Sequence, residues 1–189
     1  MEARESCKMR PLNVVATVFV FFLFAAPTVG QNQAYNTLTP DQVEKIAEAS
    51  IDPPERVSLY VKFLDERADA IKALSKRAKS AARAHHLDND LESFANLMDE
   101  LGSNLDMYSD RKADIRKALK PLNESVQKWQ AMLHDLPSDQ AYDISLTDAV
   151  DASNDLATQA KQLIKDQDAY FKEHKDQAGQ QRVEPQLEH

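Results

Sequence analysis

The sequence predicts an all-α fold, an antiparallel, coiled-coil-like bundle of three long amphipathic helices preceded by a short N-terminal helix. Two observations lead to this prediction. Glycine is scarce, with three residues in 189 and only Gly102 and Gly179 after residue 30, whereas sheet proteins use glycine in their tight turns. Apolar residues also recur in alternating steps of three and four along most of the chain, which is the period of packed amphipathic helices.

Residues 1–30 precede the bundle and have the features of a secretory signal peptide. A basic start is followed by an uncharged run from Pro11 to Gly30, and the small residues Thr28-Val29-Gly30 offer a cleavage site. The apolar stretch 14–29 is 16 residues long, shorter than the ~20 residues that usually span a membrane. We therefore expect export to a periplasmic or extracellular space. The alternative is a single-pass N-terminal anchor, in which 14–29 is the only segment that meets a membrane.

Composition excludes several classes of function for the exported chain. The single cysteine, Cys7, lies upstream of the apolar run, so the mature protein has no disulfide, thiolate nucleophile or cysteine metal ligand. The formal net charge is −8, and a field of that sign repels phosphate backbones. Nucleic acid is therefore not an expected partner.

The short helix is predicted from its start signals. Residues 31–38 lack periodicity and are expected to form a flexible tail. Thr39-Pro40-Asp41-Gln42 follows as a capping box with proline in the first turn, and the helix should run to about Ser50. Asp52 and the two prolines after it should end this helix and cap the next one.

The three long helices are predicted at about 54–86, at 89–135, and from the turn at Leu136-Pro137-Ser138 to about residue 175. The bundle domain is thus 39–175, and 176–189 should be a disordered tail. The middle helix has the longest apolar ladder, in which only Lys112 is polar and could set register or extend its charge to water. Gly102 and Pro121 lie inside this helix, and we expect one continuous helix kinked at Pro121 because the register continues on both sides. The alternative is two helices at an angle, with the break at Pro121 or Gly102. The ladder consists of Leu87, Leu91, Phe94, Met98, Leu101, Leu105, Tyr108, Lys112, Ile115, Leu119, Leu122, Val126, Trp129, Leu133 and Leu136.

Candidate chemical sites are few. His85, His86, Asp88 and Asp90 fall in one predicted turn and could ligate zinc or copper, although they lack an established ligand spacing and also suit helix capping. No catalytic or cofactor-binding residue is predicted, because nucleophile-elbow and glycine-rich phosphate motifs are missing from the sequence. The cations Lys72, Lys76, Lys79 and Arg83 are predicted to form a stripe on one helical face, paired with acids such as Asp99 and Glu100.

One short motif resembles that of a known family. Leu38-Thr39-Pro40-Asp41-Gln42 resembles the Leu-Thr-x-x-Gln signature of the Spy-like periplasmic stress chaperones, which are also exported helical proteins. Those proteins usually have the motif twice, and the second candidate here, Leu146-Thr147-Asp148-Ala149-Val150, lacks the glutamine. The resemblance implies a holdase that shields unfolded clients without nucleotide.

These observations lead to three hypotheses of function. The first is a non-enzymatic, exported helical-bundle protein for protein–protein interaction or envelope structure, whose partner is itself or another helical protein. The alternative is the stress chaperone, and the third is a metal- or ligand-sensing domain.

Overall fold

The computed structural model describes residues 37–179, and these residues are helical without a strand. The all-α prediction is confirmed. The predicted signal peptide 1–30 and most of both predicted tails, 31–36 and 180–189, lie outside the described residues. Five α-helices pack together, and two 3-10 turns, Ala49–Ile51 and Lys175–Gln177, flank them. The helices are α1 Pro40–Glu48, α2 Pro53–Ser75, α3 Ala81–Asp110, α4 Arg116–His134 and α5 Asp143–Glu173.

The first two helices begin at the caps that the sequence predicts. Thr39 Oγ1 accepts from the backbone N–H of Gln42 at 3.3 Å, and Gln42 Oε1 accepts from the Thr39 N–H at 3.0 Å. These reciprocal bonds form a complete capping box. At α2, the Asp52 carboxylate accepts from the Glu55 N–H at 3.2 Å.

The predicted number of long helices, three, is wrong, because residues 37–179 contain four. The first error concerns 54–86, because α2 ends at Ser75 and α3 begins at Ala81. Ser80 caps α3 by accepting from the Arg83 N–H at 3.1 Å. Arg83 then reaches back to donate to the carbonyl oxygens of Ser75 and Arg77, at 3.1 and 3.2 Å. These bonds satisfy carbonyl groups that the end of a helix leaves without intrahelical partners.

The second error concerns 89–135, because the helix ends at Asp110 rather than kinking at Pro121. Lys112 adopts φ 55°, its N–H donates to Ser109 O at 3.1 Å, and the Ala113 N–H donates to Tyr108 O at 2.9 Å. This pattern is a Schellman ending, in which the left-handed residue is usually glycine. Lys112 thus terminates α3 instead of filling a core position. Pro121 lies inside α4 and does not end it.

The four long helices form a bundle in which each helix packs against two others. α2 and α5 each pack against both α3 and α4, so α2 lies diagonally opposite α5 and α3 lies diagonally opposite α4. Helices that follow one another in the chain are antiparallel, since Tyr60 early in α2 meets Glu100 late in α3. The pair α3–α5 is parallel, because Asp88 contacts Ser145 at one end and Gly102 contacts Gln159 further along. The pair α2–α4 is parallel as well.

The apolar ladder is buried inside this one chain. Leu91, Phe94, Leu101 and Leu105 are fully buried, and Phe94 meets Trp129 edge-to-face across the α3–α4 diagonal with ring centroids 5.8 Å apart. Among the described residues, the large apolar side chains that remain exposed are Val43, Ile51 and Ile144. The ladder is therefore occupied by the protein's own core and leaves no continuous apolar stripe on the described surface.

Both ends of the described chain pack against the bundle. Thr37 and Leu38, which the sequence places in the flexible tail, are buried. At the other end the Gly179 N–H donates to the Asp114 carboxylate at 3.0 Å. No helix within residues 37–179 is both long and apolar enough to cross a bilayer.

Candidate functional site

The four predicted metal-ligand candidates lie near the start of α3 but turn to different partners. His85 and His86 are exposed, and His85 lies 3.4 Å from the Asn89 amide. Asp88 accepts a hydrogen bond from Ser145 on α5. Burial raises the pKa of Asp90, while Arg67 acts in the opposite direction. Within residues 37–179 no three His, Cys, Asp or Glu side chains form a group that could hold a metal ion.

The predicted basic stripe does not exist as one helical face. Lys72 and Lys76 are exposed at the end of α2, Lys79 lies in the interhelical turn, and Arg83 is buried as the cap of α2. The expected acidic partner Glu100 instead accepts from the Tyr60 hydroxyl at 2.5 Å. Burial and this carboxylate raise the pKa of Tyr60 to about 12. The prediction failed because the turn at 76–80 divides the stripe.

A polar groove lies between the parallel helices α3 and α5, and we call it the acidic groove. A section of about 730 Å³ runs beside Gly102 and Gln159. A second section of about 360 Å³ continues it toward the start of both helices and shares Asp99, Ala152 and Asp155 with the first. Seven carboxylates line the two sections: Glu92, Asp99, Asp106, Asp148, Asp151, Asp155 and Asp166.

Seven-residue spacing places these carboxylates on the groove. Glu92, Asp99 and Asp106 follow one another at that spacing on α3, as do Asp148 and Asp155 on α5. Seven residues are nearly two helical turns, so each set lies on one face with neighbours about 10 Å apart along the axis. Because α3 and α5 run in the same direction, the two rows lie side by side.

Hydrogen bonds between the helices hold the floor of the acidic groove. Gln159 Nε2 donates to the Gly102 carbonyl oxygen at 3.0 Å and to Asp106 Oδ1 at 2.6 Å. Gly102 leaves room for this contact, since a Cβ there would lie 3.3 Å from Gln159 Oε1. The glycine inside α3 therefore has a packing role rather than ending the helix.

The acidic groove has uncompensated negative charge. Within residues 37–179, no lysine, arginine or histidine lines either section. Among the residues that the structure describes, none of the seven carboxylates forms an ion pair. Burial raises the pKa of Asp99, and the charges of Asp155 and Asp148 raise it further. A cationic group that entered the groove would relieve this repulsion.

Sequence reasoning missed the acidic groove because acids are abundant. With 31 Asp and Glu in the chain, carboxylate pairs carry no information by themselves. The position of an acid relative to the apolar ladder is more informative. Each of the three α3 acids of the groove comes directly after a ladder residue: Glu92 after Leu91, Asp99 after Met98 and Asp106 after Leu105. The sequence does not reveal that α5, with its own acidic row, lies beside α3.

Two polar side chains elsewhere, Asp65 and Gln167, have structural partners. Asp65 accepts from Trp129 Nε1 at 2.7 Å and from Ser125 Oγ at 3.3 Å. Gln167, which is 5 % exposed, donates to the Ala113 carbonyl oxygen at 2.8 Å and accepts from the Ile115 N–H at 3.1 Å. These bonds join α2 to α4, and α5 to the α3–α4 connection.

The chaperone-like motif has a local structural explanation. Leu38 is buried, and Thr39 and Gln42 are the two members of the capping box of α1. The second candidate segment, 146–150, lies inside α5. The five matching residues are thus accounted for by the start of a helix.

No protein-family model, curated protein or solved structure matches this chain.

Proposed function

We propose that this protein is an exported, non-enzymatic binding protein that holds a cationic helical segment of a partner protein along the acidic groove. The observation that carries the proposal is the double row of carboxylates on parallel helices, with no cation lining it. Residues 1–30 act as its signal peptide in this proposal, and the protein acts in a periplasmic or extracellular space. The identity of the amino-terminal residue of the mature protein tests the cleavage.

Spacing favours a helix as the bound segment. Carboxylates at seven-residue intervals on α3 repeat about every 10 Å, and Lys or Arg side chains at the same interval on a partner helix repeat at the same distance. A helix lying along α3 and α5 can therefore bring several cations into register at once. A compact cation with one charge has no comparable advantage.

Energetics predict binding through several weak contacts. An exposed ion pair contributes about 0.2–1 kcal/mol, so useful affinity needs several contacts together, and salt must weaken it. Asp99 is exposed but partly desolvated, and the nearby charges of Asp155 and Asp148 also raise its pKa, so we expect a cation to gain most near Asp99.

The burial of the apolar ladder favours this surface over a hydrophobic one. A holdase of the kind that the Leu-Thr-x-x-Gln resemblance implies needs exposed apolar area, and the exposed large apolar residues among 37–179 are scattered singly. The metal-sensing hypothesis rests on His85, His86, Asp88 and Asp90, whose contacts diverge. We therefore rank both hypotheses below binding of a cationic helix.

The test measures binding of a helical peptide with lysine at every seventh position, by calorimetry at low and at physiological salt. The groove variant combines Asp99→Asn, Asp106→Asn and Asp155→Asn. Its matched control combines Glu44→Gln, Asp69→Asn and Glu124→Gln, three exposed carboxylates outside the groove with the same total change of charge. We expect the groove variant to lose at least about tenfold in affinity, or 1.4 kcal/mol, and the control to lose far less.

Two results would contradict the proposal. Equal losses in the groove variant and the control would mean that only net charge matters. Equal binding of a peptide with the same composition but scrambled lysine positions would exclude recognition of a helix by spacing. In-cell crosslinking of both variants then identifies the natural partner as the species that is lost only with the groove variant, whether a second copy or another exported protein.

A further inference from the structure

The connection between α3 and α4 differs from an ordinary turn, because its local sequence favours a helix. Residues 111–115 are Arg-Lys-Ala-Asp-Ile, without glycine or proline, and the first three are good helix formers. The apolar ladder passes through the connection without losing register, from Tyr108 through Ile115 to Leu119. The sequence alone thus predicts one helix where the structure has two.

The turned conformation places strain on a single residue. Lys112 is the only residue other than glycine with positive φ among 37–179. A side chain with a Cβ is disfavoured in this left-handed region. If residues 111–115 became helical, Lys112 would leave the left-handed region and the backbone N–H and C=O groups of the turn would form ordinary α-helical hydrogen bonds.

Tertiary contacts hold the turned conformation. The buried Gln167 side chain bonds the Ala113 carbonyl oxygen and the Ile115 N–H, which a continuous helix would satisfy internally. Arg116 is paired with Asp114 in the same connection, with Nη2 and Oδ2 2.7 Å apart. The connection therefore depends on packing by α5 rather than on a turn signal of its own.

We propose that 111–115 is a hinge through which two copies of this chain exchange halves. In the exchanged dimer α3 and α4 form one helix from Ala81 to His134, about 80 Å long. The α2–α3 hairpin of each copy then packs on the α4–α5 hairpin of the other. Strained, short hinge loops favour such domain swapping.

The geometry of the bundle is compatible with this exchange. α3 and α4 lie diagonally opposite each other, so the contacts between the two hairpins are α2–α4 and α3–α5. Both of these contacts can be made again with a second copy. The unbroken register of the ladder keeps the buried faces of α3 and α4 on one side of the straight helix. Each acidic groove would then consist of α3 from one copy and α5 from the other.

The first experiment refolds the protein from urea over a wide range of concentrations and measures its mass by light scattering after size exclusion. Lys112→Gly relieves the strain of the turn and weakens the straight helix, so it should raise the dimer dissociation constant. Each dimer contains two hinges, and about tenfold per hinge gives on the order of a hundredfold. Lys128→Gly on α4 removes the same charge in a region that is helical in both forms, and should leave the dissociation constant nearly unchanged. Gln167→Leu should favour the dimer.

The second experiment distinguishes exchange from contact between surfaces. Asp106→Cys with Gln159→Cys places thiols where α3 and α5 hydrogen-bond, and residues 31–189 contain no other cysteine. A short bismaleimide should link these thiols within one chain in the monomer and between chains in the exchanged dimer. Arg67→Cys with Ser93→Cys joins α2 to α3 and should give only links within a chain.

The proposal is overturned if wild type and Gln167→Leu both stay monomeric at every concentration. It is also overturned if a dimer forms but the crosslink between positions 106 and 159 stays within one chain. Neither result affects binding of the lysine peptide, because the acidic groove has the same residues in both forms. Failure of the exchange is therefore distinguishable from failure of the proposed function.

Discussion

The bundle contains two parallel helix pairs, α2–α4 and α3–α5, and most of the carboxylates between α3 and α5 differ from Asp65 between α2 and α4. In α2–α4, Asp65 accepts hydrogen bonds from Trp129 and Ser125 and fastens the two helices together. In α3–α5, seven carboxylates line an open groove, and within the described residues none forms an ion pair. The difference teaches that the residues of the neighbouring helix, more than the carboxylate itself, decide whether an aspartate joins two helices or stays exposed, as Asp99 and Asp155 do.

Size of the side chains reinforces the contrast. α4 contributes Trp129, which is 1 % exposed, to the centre of the bundle. The half of α5 that faces the core is instead rich in small residues, including the buried Ala149, Ala152, Ala157 and Ala160. We therefore expect substitutions in α2–α4 to change folding stability and substitutions on the surface of α3–α5 to change it little.

The largest expected effect is that of Trp129→Ala, which should destabilise the protein by about 3–5 kcal/mol. The change leaves a cavity beside Phe94 and removes the donor to Asp65. The free energy of unfolding is measured by urea denaturation followed by circular dichroism. Tryptophan fluorescence is unsuitable because the chain has one tryptophan, which this variant lacks. Trp129→Phe keeps most of the volume and should cost clearly less. If Trp129→Ala lowered the free energy of unfolding by less than about 1 kcal/mol, the contacts between α2 and α4 would not be a main source of folding stability.

A matched pair of aspartate substitutions sharpens the comparison directly. Asp65→Ala leaves the indole N–H of Trp129 and the hydroxyl of Ser125 without their partner, which should cost about 1–3 kcal/mol. Asp99→Ala removes a repelled carboxylate and should leave stability within about 0.5 kcal/mol of wild type. Both are measured by urea unfolding at neutral pH. Equal costs would mean that the two carboxylates have the same role.

Local signals in the sequence allowed the all-helical class and the starts of α1 and α2 to be predicted. The capping box of Thr39 and Gln42 and the cap at Asp52 depend on neighbours in the chain, and the ladder identifies residues that must be buried somewhere. The two helix breaks were missed for different reasons. Ser80 offered a cap, but Leu74, Ala78 and Ala81 continue the apolar steps of four and three past it and so predict one helix. Lys112 offers no local signal because its turn is held by Gln167, 55 positions later.

The acidic groove was beyond sequence reasoning for a topological reason. Asp65 and Asp99 are both aspartates on amphipathic helices, and only the packing shows that one faces Trp129 and the other faces Asp155. Which helices lie side by side depends on the breaks at 76–80 and 111–115. An error in helix number thus hides the site.

A smaller, stabilising effect is expected from Gly102→Ala on α3. Alanine is favoured over glycine inside a helix by about 0.5–1 kcal/mol. The new methyl group meets only Gln159 Oε1, at 3.3 Å, the far end of a flexible side chain that can shift slightly. We expect a net gain below about 1 kcal/mol in thermal or urea unfolding. A loss of stability would mean that the hydrogen bond from Gln159 to the Gly102 carbonyl oxygen contributes to holding α3 and α5 together. The α3–α5 pair would then resemble the α2–α4 pair more than we expect.

The smallest expected effect is that of Asp99→Asn, and its size depends on pH. The pKa of Asp99 is raised above its ordinary value of 3.8 by burial and by Asp155 and Asp148, so folding favours the protonated form. The stability that Asp99 gives to the wild-type protein is therefore fully present below pH 3.8. It is lost as the pH rises through the pKa that Asp99 has in the folded protein. At neutral pH the asparagine variant should therefore be more stable than wild type by less than about 0.5 kcal/mol, and the gain should vanish in acid. Asp110→Asn, on α3 outside the groove, is the control in the same unfolding series. If the stability of both variants changed with pH in the same way, the repulsion inside the acidic groove would be no stronger than that on the rest of the acidic surface. That result would weaken the proposal that the groove binds a cationic helix.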